Sequence, residues 1–266
     1  MSLFTSQARA IEVRDLKKTF SLRSRTSTTR VEAVRGIDLD VEMGHVFGFL
    51  GPNGAGKTTT LRILTTLLPA TSGTARVAGH DVVAQQDQVR RSIGYVGQLG
   101  GTDLDHATGR ENLLLAARLY GLTRAEAQDR ACELLEGFDL EALADRETST
   151  YSGGQRRRLD VALSMVGCPS VLFLDEPTTG LDPQNRANLW EQVRKLKAGG
   201  TTVFLTTHYL DEADALADDL AIMDHGLIVA RGTPATLKQR TGSATLDEVF
   251  LTLTGRALRD TEEVLS

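Results

Sequence analysis

An α/β fold with a largely parallel sheet is what this sequence predicts, on three observations. Short β-rich apolar runs alternate with helical patterns along most of the 266 residues, the ordering expected when strands are joined through helices. From about residue 104 to 168 the alternation stops and helical patterns follow one another with no strand, which reads as a helical subdomain inserted into the core. A glycine-rich stretch at 51–56 joins an apolar run directly to a helical one. The length suffices for one large domain or two small ones with a sizeable core.

In chain order, Ile11–Val13 and Val31–Val41 are the first candidate strands, and the polar, basic segment Ser21–Arg30 between them reads as a mobile hairpin loop. Val46–Leu50 is the next strand and Lys57–Leu68 the helix after it. Ile93–Val96 is a short apolar strand. Arg110–Tyr120, Arg124–Phe138 and Gly153–Gly167 carry helical periodicity. Val171–Leu174 is a continuous apolar run of the kind buried on both faces. Pro183–Ala198 is a punctuated helix: Asp182 can cap it, Pro183 suits its first turn and Gly199-Gly200 ends it. Thr202–Leu205 and Leu220–Met223 complete the strands. In the tail, Thr245 with Glu248 forms a capping box, and Leu246, Val249, Phe250 and Leu253 share one helical face.

Two positions in this frame carry chemistry. GPNGAGKTT, residues 51–59, follows a strand and opens a helix, and it matches the phosphate-binding loop pattern at Gly51, Gly56, Lys57 and Thr58. Its glycines let the backbone wrap phosphate so that several N–H groups point inward, and the helix N-terminus adds partial positive charge. In such a loop Lys57 contacts the β- and γ-phosphates and Thr58 ligates Mg²⁺. VLFLDE, residues 171–176, ends a buried strand in two acids at the sheet's C-terminal edge, where α/β folds bind ligands. Asp175 suits Mg²⁺ and Glu176 a general base acting on water. Downstream of an intact phosphate loop the pair gains a meaning it lacks alone. YSGGQ, residues 151–155, adds a capping box (Ser152 with Gln155) whose two glycines let a phosphate approach the helix N-terminus.

These three segments, in this order, resemble the ATP-binding subunits of ABC transporters over roughly residues 10–240. Tyr151 stands where the family's signature has Leu. The resemblance implies a RecA-like P-loop NTPase core with an N-terminal antiparallel β-subdomain, the helical subdomain at about 104–168 and a short helical extension at 241–266. It implies ATP and Mg²⁺ as cofactors. Gly51, Pro52, Asn53, Gly54, Ala55, Gly56, Lys57, Thr58 and Thr59 would cradle the phosphates, and Ser152, Gly153, Gly154 and Gln155 would bind the γ-phosphate held by a second copy of the chain. Phe20 would stack on adenine, with a core aromatic as the alternative. Gln98, ending IGYVGQ, resembles the glutamine that touches the Mg²⁺ site and the membrane partner. Asp182, in GLDP, resembles the centre of the loop that crosses the dimer interface. His208 resembles the switch histidine that contacts the γ-phosphate and Glu176.

GLDPQNRANLWEQV, HYLDEADALADDLAIMDHGLIVARGTP and TLDEVFLTLTGR are similar to the daunorubicin-resistance ATPase group. That likeness implies an exporter subunit of drug or antibiotic type, energising a separate transmembrane permease from the cytoplasmic face of the membrane. About 25 residues follow Arg240, too few for the β-rich C-terminal domain of sugar-importer subunits. No apolar run approaches the roughly 18–20 residues that span a bilayer, and the N-terminus lacks a signal-peptide core. A net charge of −5 argues against nucleic acid. Cys132 and Cys168 form no metal spacing and, sitting in apolar patterns, read as buried free thiols; Arg156–Arg158 read as an exposed helix face. Two other classes are open. A soluble ABC ATPase of translation or repair would carry two ATP domains, coiled-coil heptads or zinc sites, none of which this chain has. A binding module without turnover would lack Glu176 or His208, and both are present.

Overall fold

Two sheets carry the architecture, which the computed structural model describes for residues 9–23, 28–98, 104 and 106–255. The first elements are a long antiparallel hairpin, β1 (Arg9–Arg23) and β2 (Thr28–Glu42). Both strands outrun the apolar runs that predict them, since backbone pairing continues to Arg23 opposite Thr28 and needs no apolar side chain. The hairpin's tip, 24–27, lies outside the described residues. Next come β3 (Val46–Leu50), α1 (Lys57–Leu64), β4 (Ser72–Val77), β5 (His80–Asp81), α2 (Gln86–Ser92) and β6 (Ile93–Val96). Three helices follow with no strand between them: α3 (Gly109–Leu119), α4 (Arg124–Gly137) and α5 (Gly153–Ser164). Then β7 (Val171–Asp175), α6 (Pro183–Ala198), β8 (Thr202–Thr207), α7 (Leu210–Leu216), β9 (Asp219–Asp224), β10 (Leu227–Gly232), α8 (Pro234–Thr241) and α9 (Leu246–Thr254) complete the order.

The strands β2-β1-β4-β5 pair antiparallel in one sheet, and β10-β9-β3-β8-β7-β6 form the other. Within the second, β6, β7, β8, β3 and β9 run parallel and β10 closes the edge antiparallel. Sequence patterning misses β4, β5 and β10. SGTARV and LIVARG are partly exposed, and these strands are held by pairing more than by burial. Helix α1 stops at Leu64 rather than Leu68. Thr66 takes φ 63, and the amides of Leu67 and Leu68 both turn back to the Arg62 carbonyl.

Every residue of β3, β7 and β8 is buried, as expected for parallel strands covered on both faces. Alternation along each strand divides the core. Val46, Leu172, Leu174, Val203 and Leu205 face the helices. Phe47, Phe49 and Phe173 face the antiparallel sheet, with ring centroids 5.4–5.5 Å from Phe204. Burying each such ring contributes roughly 1.5–3 kcal/mol.

Leu246, Val249 and Phe250 of α9 pack into a third cluster with Leu50, Leu210 and Ile222. Leu253, at the frayed end of that face, is 37% exposed. The expected Thr245 box is half made: Thr245 accepts from the Glu248 amide, but the Glu248 carboxylate reaches the amide of Ala244 instead. The cysteine expectation is corrected, because both thiols are exposed. In α4 the buried positions are Ala127, Ala131, Leu134 and Leu135, which turns Cys132 outward, and Cys168 sits in a left-handed turn after α5. Among the described residues no helix is long and apolar enough to cross a membrane.

Candidate nucleotide site

The loop after β3 is shaped by two glycines. A Cβ at Gly51 would overlap the Met223 carbonyl, and one at Gly56, held at φ 110, would overlap the Ala33 carbonyl. The loop therefore lies tight against β2 and β9 and ends on α1. Lys57, the first helical residue, is buried and donates to the carbonyls of Gly51 at 2.7 Å and Pro52 at 3.1 Å. Its ammonium is also 3.3 Å from Glu176. Burial pulls the Lys57 pKa below the ordinary amine value, against the pull of Glu176 and Asp175.

At the C-terminal edge of β7, Asp175 accepts from Thr206 at 2.6 Å and from Thr58 at 3.1 Å. Burial raises its carboxyl above the usual range, and those two hydroxyls oppose the rise. The Gln98 carboxamide is 3.3 Å from the Thr58 hydroxyl. Thr58 and Asp175 thus bring side-chain oxygens together beside the loop, with the Gln98 carboxamide nitrogen donating to Thr58, and oxygens of this kind suit a small hard divalent cation. A cation here would also favour the ionised form of a carboxyl that burial disfavours.

Glu176 takes φ 47, a backbone region that side-chain-bearing residues occupy only under constraint. Its amide donates to both the carbonyl and the hydroxyl of Thr206, each at 3.1 Å. Its carboxylate lies 3.2 Å from Nδ1 of His208. Burial raises the Glu176 carboxyl, but His208 and Lys57 outweigh it and hold the group below the usual range. An ionised carboxylate between a lysine and a histidine, facing the phosphate loop, can accept a proton from water.

The loop opens into a cavity of about 490 Å³. Lys57, Thr58 and Thr59 line its floor, Phe20 and Val31 one side, and Gln98 and Glu176 another. Phe20 is half-buried with the Lys18 ammonium 5.1 Å from its ring centroid. The signature residues do not line this cavity. Ser152 caps α5 with the full capping box expected and is exposed, as is Gly153. Gly154 is buried, and a Cβ there would overlap the Asn185 side chain. Asp182 caps α6 through the Asn185 amide and is exposed.

Sequence reasoning missed two residues of this centre. Thr206 holds both Asp175 and the Glu176 amide; its signal was a pair of threonines ending an apolar strand before His208. Arg157 was expected on an exposed face and is buried at 7% exposure, donating to the carbonyls of Gly97, Asp175 and Pro177. Burial lowers its guanidinium pKa, with Asp160 opposing most. Its neighbours also bond to main chain, Arg156 to Thr148 and Arg158 to Phe138 and Asp139. Nothing in a run of three arginines says which one turns inward.

Residues 34–179 match the family model of ABC transporters. Over 242 residues the chain is 52% identical to the daunorubicin/doxorubicin resistance ATP-binding protein DrrA of Streptomyces peucetius, covering 91% of this chain and 71% of that one. It is 44% identical over 257 residues to the doxorubicin resistance ATP-binding protein DrrA of Mycobacterium tuberculosis, covering 97% and 74%. A solved ATP-binding subunit of an ABC transporter, 28% identical, superposes with a TM-score of 0.79 over 92% of this chain and 99% of that one. The fold is shared with a dimeric ATP-binding cassette in a post-hydrolysis state bound to ADP and Pi, at 24% identity and TM-score 0.74, over 84% of this chain and 98% of that one. The protein belongs to the ABC transporter family, as one of its ATP-hydrolysing nucleotide-binding subunits.

Proposed function

We propose that this subunit hydrolyses ATP through Glu176, in a pair of identical chains, to drive a separate permease that exports a drug or antibiotic. The observation that carries the reading is the connected set Lys57–Glu176–His208, with contacts of 3.3 and 3.2 Å, at the mouth of the phosphate loop. Backbone N–H groups of residues 53–59 and the Lys57 ammonium bind the β- and γ-phosphates, and Phe20 stacks on the base. Glu176 accepts a proton from the attacking water, and His208 holds the carboxylate and reaches the γ-phosphate. Thr58, Asp175 and Gln98 would hold Mg²⁺, which supplies charge neutralisation on the phosphates.

The second copy is inferred from the signature. Ser152, Gly153, Gly154 and Gln155 stand at a capped helix N-terminus, apart from the cavity of their own chain. Such a terminus suits an anion, and a facing chain's γ-phosphate would supply one, with Asp182 at the crossing. On this reading the cassette is residues 10–240, the helical subdomain 104–168 and the extension 241–266. The drug cargo rests on the likeness to drug-resistance ATP-binding proteins, and a peripheral place on the cytoplasmic face follows from the need for a permease.

Glu176→Gln separates binding from chemistry. Loss of a general base costs about 10²–10⁴ in rate, so the variant should bind Mg-ATP, fail to turn it over and elute as a dimer in size-exclusion chromatography, while wild type elutes mainly as monomer. Hydrolysis by Glu176→Gln at the wild-type rate would place the base elsewhere.

A further inference from the structure

Arg157 sits in α5, five residues past Ser152, and its guanidinium is directed at main chain rather than at an acid. Nε donates to the Pro177 carbonyl at 2.8 Å, Nη1 to that of Gly97 at 2.7 Å and Nη2 to that of Asp175 at 3.3 Å. Its contact with the Asp160 carboxylate is 4.0 Å long. A buried guanidinium is costly unless its donors are satisfied, and here peptides of two other segments satisfy them. The Asp175 and Pro177 carbonyls belong to the residues on either side of Glu176. The Gly97 carbonyl belongs to the peptide that leads into Gln98.

The residue between those two carbonyls is the one at φ 47. A non-glycine residue keeps such a conformation only where its surroundings over-determine it. Thr206 holds the Asp175–Glu176 peptide through the Glu176 amide, and the Thr179 amide donates to the Glu176 carbonyl at 3.3 Å. Arg157 adds bonds to the Asp175 and Pro177 carbonyls and ties this turn to α5. The planar fork of an arginine can engage several carbonyls at once, as the point charge of a lysine cannot. We propose that Arg157 is the positioning residue that locks the Glu176 backbone and couples it to the helix presenting Ser152–Gln155. A shift of that helix, as when the signature engages a facing phosphate, is thereby transmitted to the carboxylate that activates water.

The inference rests on Glu176 as general base, and its test keeps the two apart. Single-turnover hydrolysis, affinity for a fluorescent ATP analogue and thermal unfolding are measured on the full chain. The set is wild type, Arg157→Gln, Arg157→Lys, Glu176→Gln and the double variant Arg157→Gln/Glu176→Gln. A misplacement of about 1 Å costs on the order of 10²-fold in rate, so Arg157→Gln should hydrolyse roughly 10- to 100-fold more slowly while nucleotide affinity stays near wild type. Arg157→Lys should fall between, and serves for the comparison if the glutamine variant does not fold. The double variant should be no slower than Glu176→Gln alone, because displacing a base already removed costs nothing further. Rate losses that multiply in the double variant, a wild-type rate in Arg157→Gln, or parallel loss of rate, affinity and melting temperature would each overturn the positioning role. A wild-type rate in Glu176→Gln would overturn the base assignment instead.

Discussion

Lys57 has its ammonium shared among two carbonyls of its own loop and the carboxylate of Glu176, so one charge both shapes the loop and faces the base. Hydrogen bonds to charged groups contribute roughly 1.5–3 kcal/mol each. Lys57→Ala should therefore weaken ATP binding at least about tenfold, read by equilibrium titration with a fluorescent analogue; unchanged affinity would remove the phosphate from Lys57. At this scale most of the site was legible. The loop lysine, Thr58, Asp175, Glu176 and His208 stand at motif spacings, and the chemistry requires those residue types. Thr206 and Arg157 were not legible. A threonine in an apolar strand has many readings, and an arginine's burial depends on carbonyls 60 residues away in sequence.

Between elements, Glu212 joins α7 to α6. It is fully buried, and the Trp190 indole donates to it at 3.1 Å. Burial raises its carboxyl pKa above the usual range; Thr207, Thr178 and Trp190 only partly oppose this, and Asp211 adds to it. Arg157 is the cation whose charge it also feels. The sign follows directly. In the unfolded chain a glutamate ionises near about pH 4.3, while the folded carboxyl holds its proton to higher pH. Wild-type stability therefore falls as pH rises from that point until the folded group ionises. Glu212→Gln has no such slope, so its melting temperature should gain on wild type as pH rises above about 4.3 and converge with it below that. Differential scanning fluorimetry on both sides of that pH decides it, and a gap that narrows with rising pH would mean a charged, paired Glu212. Periodicity placed an acidic helix here without revealing which acid was inside, because that depends on how α6 lies across α7.

At the scale of the whole molecule, the proposed permease needs a docking surface on this chain. A docking surface for it at Gln98–His106, the polar, glycine-rich segment that begins at the glutamine resembling the family's partner-touching one, lies partly outside the described residues, at 99–103 and 105. Leu104 is described and is 57% exposed. Its amide and carbonyl are pinned by Asn112, at 2.7 and 3.3 Å, and the carbonyl also accepts from Thr148 at 3.0 Å. A fixed backbone that presents an apolar side chain outward suits contact with a partner. Elsewhere, an apolar groove of about 320 Å³ opens between the sheet edge and the helices, lined by Leu67, Tyr95 and Tyr120 among others. Leu104→Asp should leave ATP binding and hydrolysis by the isolated subunit unchanged and abolish recovery of the permease from detergent-solubilised membranes. Equal recovery with wild type would move the docking surface elsewhere.

The sequence by itself determined the class of fold, the place of the phosphate loop and the family. Each is written in short local patterns: a strand that runs into a glycine-rich turn, two acids at a strand end, serine and glutamine spaced to cap a helix. Backbone geometry and phosphate chemistry demand those residues wherever they occur. The tertiary structure alone decided the strand order β10-β9-β3-β8-β7-β6, the pairing of β4 and of the edge strands β5 and β10, the outward turn of Cys132 and Cys168, and the inward turn of Arg157. Edge strands form because another strand offers a partner, and a side chain is buried only where something covers it. Both depend on segments far apart in the chain, and local pattern does not record them.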